Sequence, residues 1–558
     1  MSHTKRIAVV GGGPTAVYTL KNLLQKATRS HVTIFEAGPV AGCGIPYSEL
    51  HNSADMMANI TSVEIPPVLV SLSDWVRSAD AAVLKRFGIA RDKVSDRDFY
   101  PRVLIGAYYS DQLTRLVQGC GPWQTVAIET NTRVLDIRPD GNRTTVFVDK
   151  EGKRARRRFD VVIMATGHMT EADNNASVRG LYRSPYPVQD IELGRDRAAL
   201  ILGSSLSAID AAVSIASRYG RFEGDEENLS YKPSGMKKLR RRSRARASRY
   251  GRFEGDEENL SYKPLSDKPL RIVMASRKGT VPDADFFYPI PEEPLMIFTP
   301  ARLDLLRKEG QKGLLAKAFK LFKQQLASDD PDFLNRLDVK RFTPESFGKA
   351  YLAMRKARQG FDAIAENLEQ SRRDYRARRV IMWRYTLMRA HEVFGEIVPF
   401  LDRKDLARFR RHLAPVFADA YGCVPHLSIQ RLLALHGANC LDVVALGETG
   451  TIRYGSGVFA LTADGRAESF GTLIDARGQN AASISDLGFT QLDQALATVD
   501  QLKRTSGQSA DDQFRLQLDD RSASDIFCIS IPVMMERYPF AQGLVACSEA
   551  AEAVAAAI

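Results

Sequence analysis

The chain has 558 residues, 44% apolar and 26% charged, with 78 basic against 67 acidic side chains and a formal charge of +11. That length predicts two or three domains, and the ordinary composition excludes wholesale disorder. No apolar run approaches roughly 18 residues, so no membrane span is expected. Because MSHTKR leads directly into a glycine turn, no signal peptide is expected either, and the expected location is cytoplasmic.

The first predicted element is a short buried strand, RIAVV. Gly11-x-Gly13-x-x-Ala16 follows at once and opens a helical pattern, AVYTLKNLLQKA. Gly11 permits a tight turn, Gly13 lets the backbone approach a pyrophosphate, and Ala16 allows close helix–strand packing. The helix N-terminus offers free N–H groups and its dipole to the phosphate charge. A second strand, HVTIFEA, ends in Glu36, 23 positions after Gly13, where a carboxylate hydrogen-bonds a ribose diol. This order predicts an adenine dinucleotide site.

GCGIPYS (42–48) and DMMANITS (55–62) extend that site beyond a minimal NAD fold. A further strand, DVVIMATGH (160–168), closes on Thr166 and Gly167, the usual point where a chain leaves an FAD domain. TLIDARG (472–478) reads as its counterpart, followed by DIFCISIPV and a final helix, GLVACSEAAEAVAAAI. The FAD domain is therefore expected to be discontinuous, 1–175 and 466–558.

A second turn lies in RAALILGSSLSAID (197–210), with Gly203, Ser205 and Ala208 at the fingerprint positions. Ser205 crowds the pyrophosphate path yet still donates a hydrogen bond, and Ser204 and Ser207 add donors. The next strand, LRIVMAS, ends in Ser276, Arg277 and Lys278 where an NAD site keeps an acid. Those groups suit a 2′-phosphate, so NADPH is expected over NADH. The NADPH domain is expected over 176–300 and 416–465.

An 18-residue segment, ASRYGRFEGDEENLSYKP, occupies 216–233 and again 247–264, around the basic run KKLRRRSRAR (237–246). Two copies do not make a repeat array, which needs about three stackable units. The reading is a duplication that enlarged a surface loop, with residues ~220–266 poorly ordered and functionally passive. The basic run lacks interleaved aromatics, so a solvated loop is preferred to nucleic-acid binding. Residues 301–415 carry apolar positions at three- and four-residue spacing and are expected to form an inserted helical subdomain.

The six cysteines are never closer than 17 positions, so no C-x-x-C pair, zinc spacing or iron–sulfur spacing exists, and the eight histidines form no metal motif. No metal is expected. With one site for the flavin and one for the hydride donor, the reduced flavin meets a disulfide, another carrier, or oxygen. The cysteine spacing leaves oxygen.

Several segments, in order, resemble a group of flavoproteins: GCGIPYS, MMANITS, FYPRVLIGAYYSDQL (99–113), RSPYP (183–187), GSSLSAIDA and YGCVPHLSIQRLLAL (421–435). That group includes the nitrosuccinate-forming L-aspartate N-monooxygenase and a FAD-dependent urate hydroxylase. The resemblance implies an α/β protein with two Rossmann-like domains, one for FAD and one for NADPH. It also implies a monooxygenase acting through a C4a-hydroperoxyflavin on a small polar molecule and O2. N-oxygenation of an amino acid such as L-aspartate is the favoured reaction. A urate-type C-hydroxylase, or a FAD-binding interaction protein without oxygenase activity, stands as the alternative. Asn59 is the candidate beside the isoalloxazine, with a helix-capping role as the other reading, and Met57 is assigned to the cofactor. Arg102 pairs with a phosphate, pairs with a substrate carboxylate, or is structural. His426 reads as a packed histidine rather than an acid–base group. Neither nucleic acid nor membrane is expected as a partner, and a homo-oligomer is left open.

Overall fold

The computed structural model describes residues 4–26, 28–167, 178–224, 228–233, 269–455, 457–463, 465–478, 481–502, 510–518 and 525–558. The chain divides into two compact units. The first comprises Met1–Ala54, Ile60–Thr170 and Gln479–Ile558, and the second Asp55–Asn59 and Glu171–Gly478.

In the first unit, β1 (Lys5–Val10) runs into α1 (Pro14–Leu24), then β2 (Ser30–Phe35), β3 (Gln124–Glu129) and β4 (Val161–Met164). In the second unit, β5 (Leu181–Tyr182), β6 (Ala198–Leu202), α2 (Leu206–Tyr219) and β7 (Arg271–Ser276) precede a helical stretch from Pro300 to Tyr421. That stretch contains α3 (Pro344–Ala357) and α4 (Phe361–Ala377), and after it come α5 (His426–Gly437), β8 (Leu441–Ala445) and β9 (Thr472–Asp475). The chain then returns to the first unit, which it completes with β10 (Asp525–Cys528) and a closing helix, Leu544–Ala557.

Each unit is built on a parallel five-stranded sheet, ordered β10-β4-β1-β2-β3 in the first and β5-β9-β6-β7-β8 in the second. Central strands of such sheets are covered on both faces, which is why RIAVV and AALIL are almost continuously apolar. Ile7–Val10 and Ala198–Ile201 are all buried. In the first unit an antiparallel sheet, Thr132–Asp140, Arg143–Lys150 and Lys153–Phe159, shares a core with β1 and the 484–496 segment. In the second, β6, α2, β7 and α5 share one core. Within the helical stretch an aromatic cluster forms around Phe298, Phe322, Phe394 and Phe417, with ring centroids 4.6–5.5 Å apart, while Leu368 of α4 joins the core of the second sheet. The fold class is therefore α/β, two Rossmann-like units with an inserted helical subdomain.

Three expectations need correction. Residues 466–478, expected in the returning FAD part, fall elsewhere, because β9 pairs with β5 and β6 in the second unit. Strand pairing, not the Ala-Arg-Gly ending, decides where that segment belongs. Asp55–Asn59, expected in the first domain, lies in the second unit, where the Asp55 carbonyl accepts a 2.6 Å bond from Arg431. Finally, the first copy of the duplicated segment, expected to be poorly ordered from about residue 220, is regular structure where it is described. Gly220–Glu223 pairs with Ser230–Pro233 as a hairpin, Tyr231 is buried, and its hydroxyl donates to the Ala216 carbonyl at 2.8 Å. Phe222 and Tyr231 contact each other at 5.1 Å between centroids, which anchors the hairpin. The second copy and the basic run lie outside the described residues.

Candidate functional site

The first turn leaves no room for side chains. Gly11 has φ +99°, and a Cβ there would overlap the Ala165 carbonyl oxygen at the end of β4 and lie 2.9 Å from its carbon. Its N–H donates to the Phe35 carbonyl at 2.9 Å, which closes the turn over β2. Gly13 caps α1 without any side-chain cap, and a Cβ on it would come 3.3 Å from Gly44 Cα. Ala16 is buried against the sheet. The GCG loop is thus packed onto the turn: the Gly42 N–H donates to the Gly12 carbonyl at 2.6 Å.

Glu36 is held between two backbone donors, Gly12 N–H at 2.9 Å on Oε2 and Gly38 N–H at 2.6 Å on Oε1. Each carboxylate oxygen has two acceptor directions, so one remains on each for a ribose hydroxyl. At the end of β4, the Thr166 hydroxyl lies 3.0 Å from Ser530 Oγ, which in turn donates to the Gly167 carbonyl at 3.2 Å. Ser530 is fully buried and fixes the Ala-Thr-Gly turn. Nothing in its own segment, DIFCISIPV, signals that task in the sequence. Arg102 opens the helix Arg102–Gln118 and faces Tyr47, whose phenol burial pushes up to about 12 against the opposing pull of that guanidinium.

The second turn repeats the first. Gly203 has φ +112°, and a Cβ there would lie 2.7 Å from the Ala476 carbonyl oxygen. Its N–H donates to the Ala275 carbonyl at 2.8 Å. In both units the turn glycine presses on the carbonyl of an alanine that opens Ala-x-Gly, Ala165-Thr166-Gly167 or Ala476-Arg477-Gly478. Ser205 caps α2 in extended backbone and is exposed, and no side chain caps that helix. Ser207, in the first turn of α2, is half-buried.

Ser204, expected among the donors, turns inward. Its Oγ lies 2.8 Å from Ser276 Oγ and 2.5 Å from the Thr280 carbonyl. Ser276 also accepts the Gly279 N–H at 3.0 Å, so its hydroxyl shapes the loop after β7. Arg277 beside it is exposed, and Lys278 is half-buried, with burial lowering its pKa.

Met57 and Asn59 lie on the strand Met57–Thr61. Asn59 is half-buried on a strand paired with Phe99–Pro101, and its side-chain amide has no hydrogen-bond partner among the described residues. Helix capping falls to Thr61 instead, whose N–H and hydroxyl both donate to Glu64, at 2.7 and 2.6 Å. His426 Nε2 sits 2.8 Å from Ser371 Oγ and 3.1 Å from the Asp285 carbonyl, and burial lowers its pKa. Gly11, Gly13, Ala16, Glu36, Arg102, Thr166 and Gly167 therefore fall in the first unit. Met57, Asn59, Gly203, Ser205, Ser207, Ser276, Arg277 and Lys278 fall in the second.

All six cysteines are free thiols. Burial pushes Cys423 and Cys528 up to about 12 and Cys440 and Cys547 to about 11, and raises Cys43 and Cys120 as well. They stay protonated near neutrality and are poor nucleophiles. Among the described residues no cluster fits a metal ion, and no helix is long and apolar enough to cross a membrane.

Residues 8–169 match the FAD-NAD(P)-binding family, and residues 299–421 match the YdhS-like middle domain. Among solved structures, the reduced form of the ornithine hydroxylase PvdA from Pseudomonas aeruginosa is 12% identical at a TM-score of 0.48, covering 100% of this chain and 98% of that one. The ornithine N-hydroxylase KtzI of Kutzneria sp. 744 is 11% identical at a TM-score of 0.46, covering 100% and 99%. The uncharacterized protein YdhS of Escherichia coli (strain K12) is 34% identical over 559 residues, 99% of this chain and 97% of that protein. With residues 8–169 matching the FAD-NAD(P)-binding family and full-length likeness to that relative, the chain carries an FAD- and NAD(P)-binding domain and belongs to the YdhS family.

Proposed function

We propose that the protein is an NADPH- and O2-dependent flavin monooxygenase that oxygenates the amine nitrogen of a small polar amino acid such as L-aspartate. The observation that carries this reading is the pair of turns built alike, each with a glycine pressed on an alanine carbonyl and an uncapped helix start, in a chain where five of the six thiols are buried and the sixth, Cys120, is half-buried. Bound FAD supplies hydride acceptance from the nicotinamide and activation of O2. The first turn fits it: a Cβ at Gly11 would fill the cradle, and Glu36 keeps acceptor capacity for a ribose.

The chain's own residues then have distinct tasks. Gly11, Gly13 and the α1 N-terminus receive the FAD pyrophosphate, and Thr166 and Gly167 border it. Gly203, Ser205 and Ser207 receive the NADPH pyrophosphate, with Arg277 and Lys278 beside its adenosine. Asn59, whose side-chain amide has no partner among the described residues, is the side chain assigned to the reacting substrate and nicotinamide. An amide donates and accepts hydrogen bonds without carrying off a proton, which suits positioning rather than acid–base work. Raised thiol pKa values leave these cysteines unsuited to relay electrons to a disulfide.

The test is NADPH oxidation in air with and without L-aspartate, together with peroxide and N-oxidised product. Faster oxidation with aspartate, little peroxide and stoichiometric N-oxidised product supports the reading. Product from urate but not from any amine would move the assignment to carbon hydroxylation. FAD that NADPH leaves oxidised would favour a binding protein without oxygenase activity.

A further inference from the structure

The loop after β7 is covered by a part of the chain that a Rossmann fold does not supply. The turn between α3 and α4, residues 358–360, lies against it: Gln359 Nε2 donates to the Lys278 carbonyl at 2.5 Å. Together they enclose a pocket of about 50 Å³, lined on one side by Gly279, Thr280 and Val281 and on the other by Arg358, Gln359 and Phe361. The pocket begins beside the second dinucleotide turn, because Thr280, one of its lining residues, accepts the Ser204 hydroxyl on its carbonyl at 2.5 Å. Gly279 fixes the loop's course: its φ is +64°, and a methyl added there would come within 2.8 Å of Ala445 Cβ.

The charge around this pocket is unbalanced. Arg355, at its base, is neutralised by Asp283 at 2.6 Å and Asp419 at 2.7 Å, and Arg384 lies 3.8 Å from Asp283. Those carboxylates are committed, and Asp419 also accepts the Tyr351 hydroxyl at 2.7 Å. Arg277, Lys278 and Arg358 remain, and among the described residues none of the three has an ion-pair or hydrogen-bonded acid partner for its side chain. Asp419 attracts the Lys278 ammonium only at longer range. Arg358 lines the pocket, and Arg277 and Lys278 lie on the segment that leads into its lining at Gly279; three such cations suit a doubly charged anion.

We infer that the helical subdomain completes the nucleotide site, with Arg358 closing on the 2′-phosphate of NADPH from the side opposite Arg277 and Lys278. This rests on the NADPH reading above and deepens it: selectivity for the phosphomonoester comes partly from the inserted helices. Arg358 is then a specificity residue, and Gln359 a positioning residue that ties the turn to Lys278.

The experiment uses the full chain with FAD bound. Competition against NADPH is measured with 2′,5′-ADP, with AMP and with inorganic phosphate, in the parent and in Arg358→Ala. The expected result is that 2′,5′-ADP competes better than AMP in the parent, and that the substitution weakens 2′,5′-ADP by about tenfold or more while AMP changes little. The kcat/KM preference for NADPH over NADH should fall in proportion. Equal weakening of 2′,5′-ADP and AMP, or no change in either, overturns the inference. So does inorganic phosphate that binds as tightly as 2′,5′-ADP without displacing NADPH, since the pocket would then take a free anion. If Arg358→Ala does not fold, Lys278→Gln is read in the same way. A flavin that no nicotinamide reduces would instead undo the proposed function, and the 2′,5′-ADP titration would still judge this site.

Discussion

Substituting Gly203 by alanine should separate the two dinucleotide sites. The new methyl would stand 2.7 Å from the Ala476 carbonyl oxygen and 3.0 Å from its carbon, well inside ordinary van der Waals contact. The neighbour is backbone, and it is tied down, since the Ala476 N–H donates to the Leu202 carbonyl at 2.8 Å. At φ +112° an L-residue costs roughly 1–2 kcal/mol, and overpacking adds about 1–3 kcal/mol. The total, about 2–5 kcal/mol, leaves a domain of ordinary stability folded. It is enough to move the turn off the path of a pyrophosphate, and each 1.4 kcal/mol lost there is about tenfold in affinity. The assay is FAD content by visible absorbance, followed by stopped-flow reduction with NADPH. FAD should be retained, because the first turn is untouched, while the apparent Kd for NADPH rises about tenfold or more. Gly11→Ala, with its methyl 2.9 Å from the Ala165 carbonyl carbon and closer still to the oxygen, should instead lose FAD. A Gly203→Ala protein reduced by NADPH with unchanged affinity would refute the reasoning.

Four further outcomes follow from the geometry. Glu36→Gln places an amide NH2 against one of two backbone donors, so FAD affinity should drop by about 1–3 kcal/mol in a fluorescence titration; unchanged affinity would remove Glu36 from the site. Arg355→Met strands Asp283 and Asp419, both now paired, and should cost about 3–5 kcal/mol in denaturant unfolding, an effect absent if water reaches these carboxylates. Burial lowers His391 to about 4, with its Nδ1 bonded to the Met388 carbonyl. The unfolded chain takes up this proton below the usual value of about 6.5, so stability is full above that pH and is lost as pH falls toward about 4. The loss is about 3 kcal/mol, and His391→Gln should flatten the slope in that window. Deleting 234–264 removes the basic run and the second copy but keeps the hairpin, and should preserve FAD content and NADPH oxidation; loss of either would show that the deleted stretch matters.

The parts of this site that sequence exposes are those where the backbone itself dictates the residue. Gly11 and Gly203 are legible because a positive φ and a carbonyl against the missing side chain admit nothing else. Glu36 is legible because it ends a strand at a fixed distance from the turn. Contacts between distant segments are not. Ser204 reads as a phosphate donor until β7 brings Ser276 and Thr280 to it. Tyr231 reads as loop until Phe222 and α2 close around it. Asp55–Asn59 follows the first domain in sequence, yet Arg431, far along the chain, holds it in the second unit. Gln359 has no local signature at all, since only the turn between two helices of the inserted subdomain brings it to the Lys278 carbonyl.

One chain that holds a flavin, accepts hydride from NADPH and delivers it to O2 productively should show all three steps in a single experiment. The most direct measurement is anaerobic stopped-flow mixing of the FAD-loaded protein with NADPH, followed by a second mix with O2 and L-aspartate. The expected result is that NADPH bleaches the flavin band, that O2 restores it, and that N-oxidised product forms in proportion to flavin turned over. A protein that takes up no FAD, or a flavin that stays oxidised under NADPH and NADH alike, would contradict it.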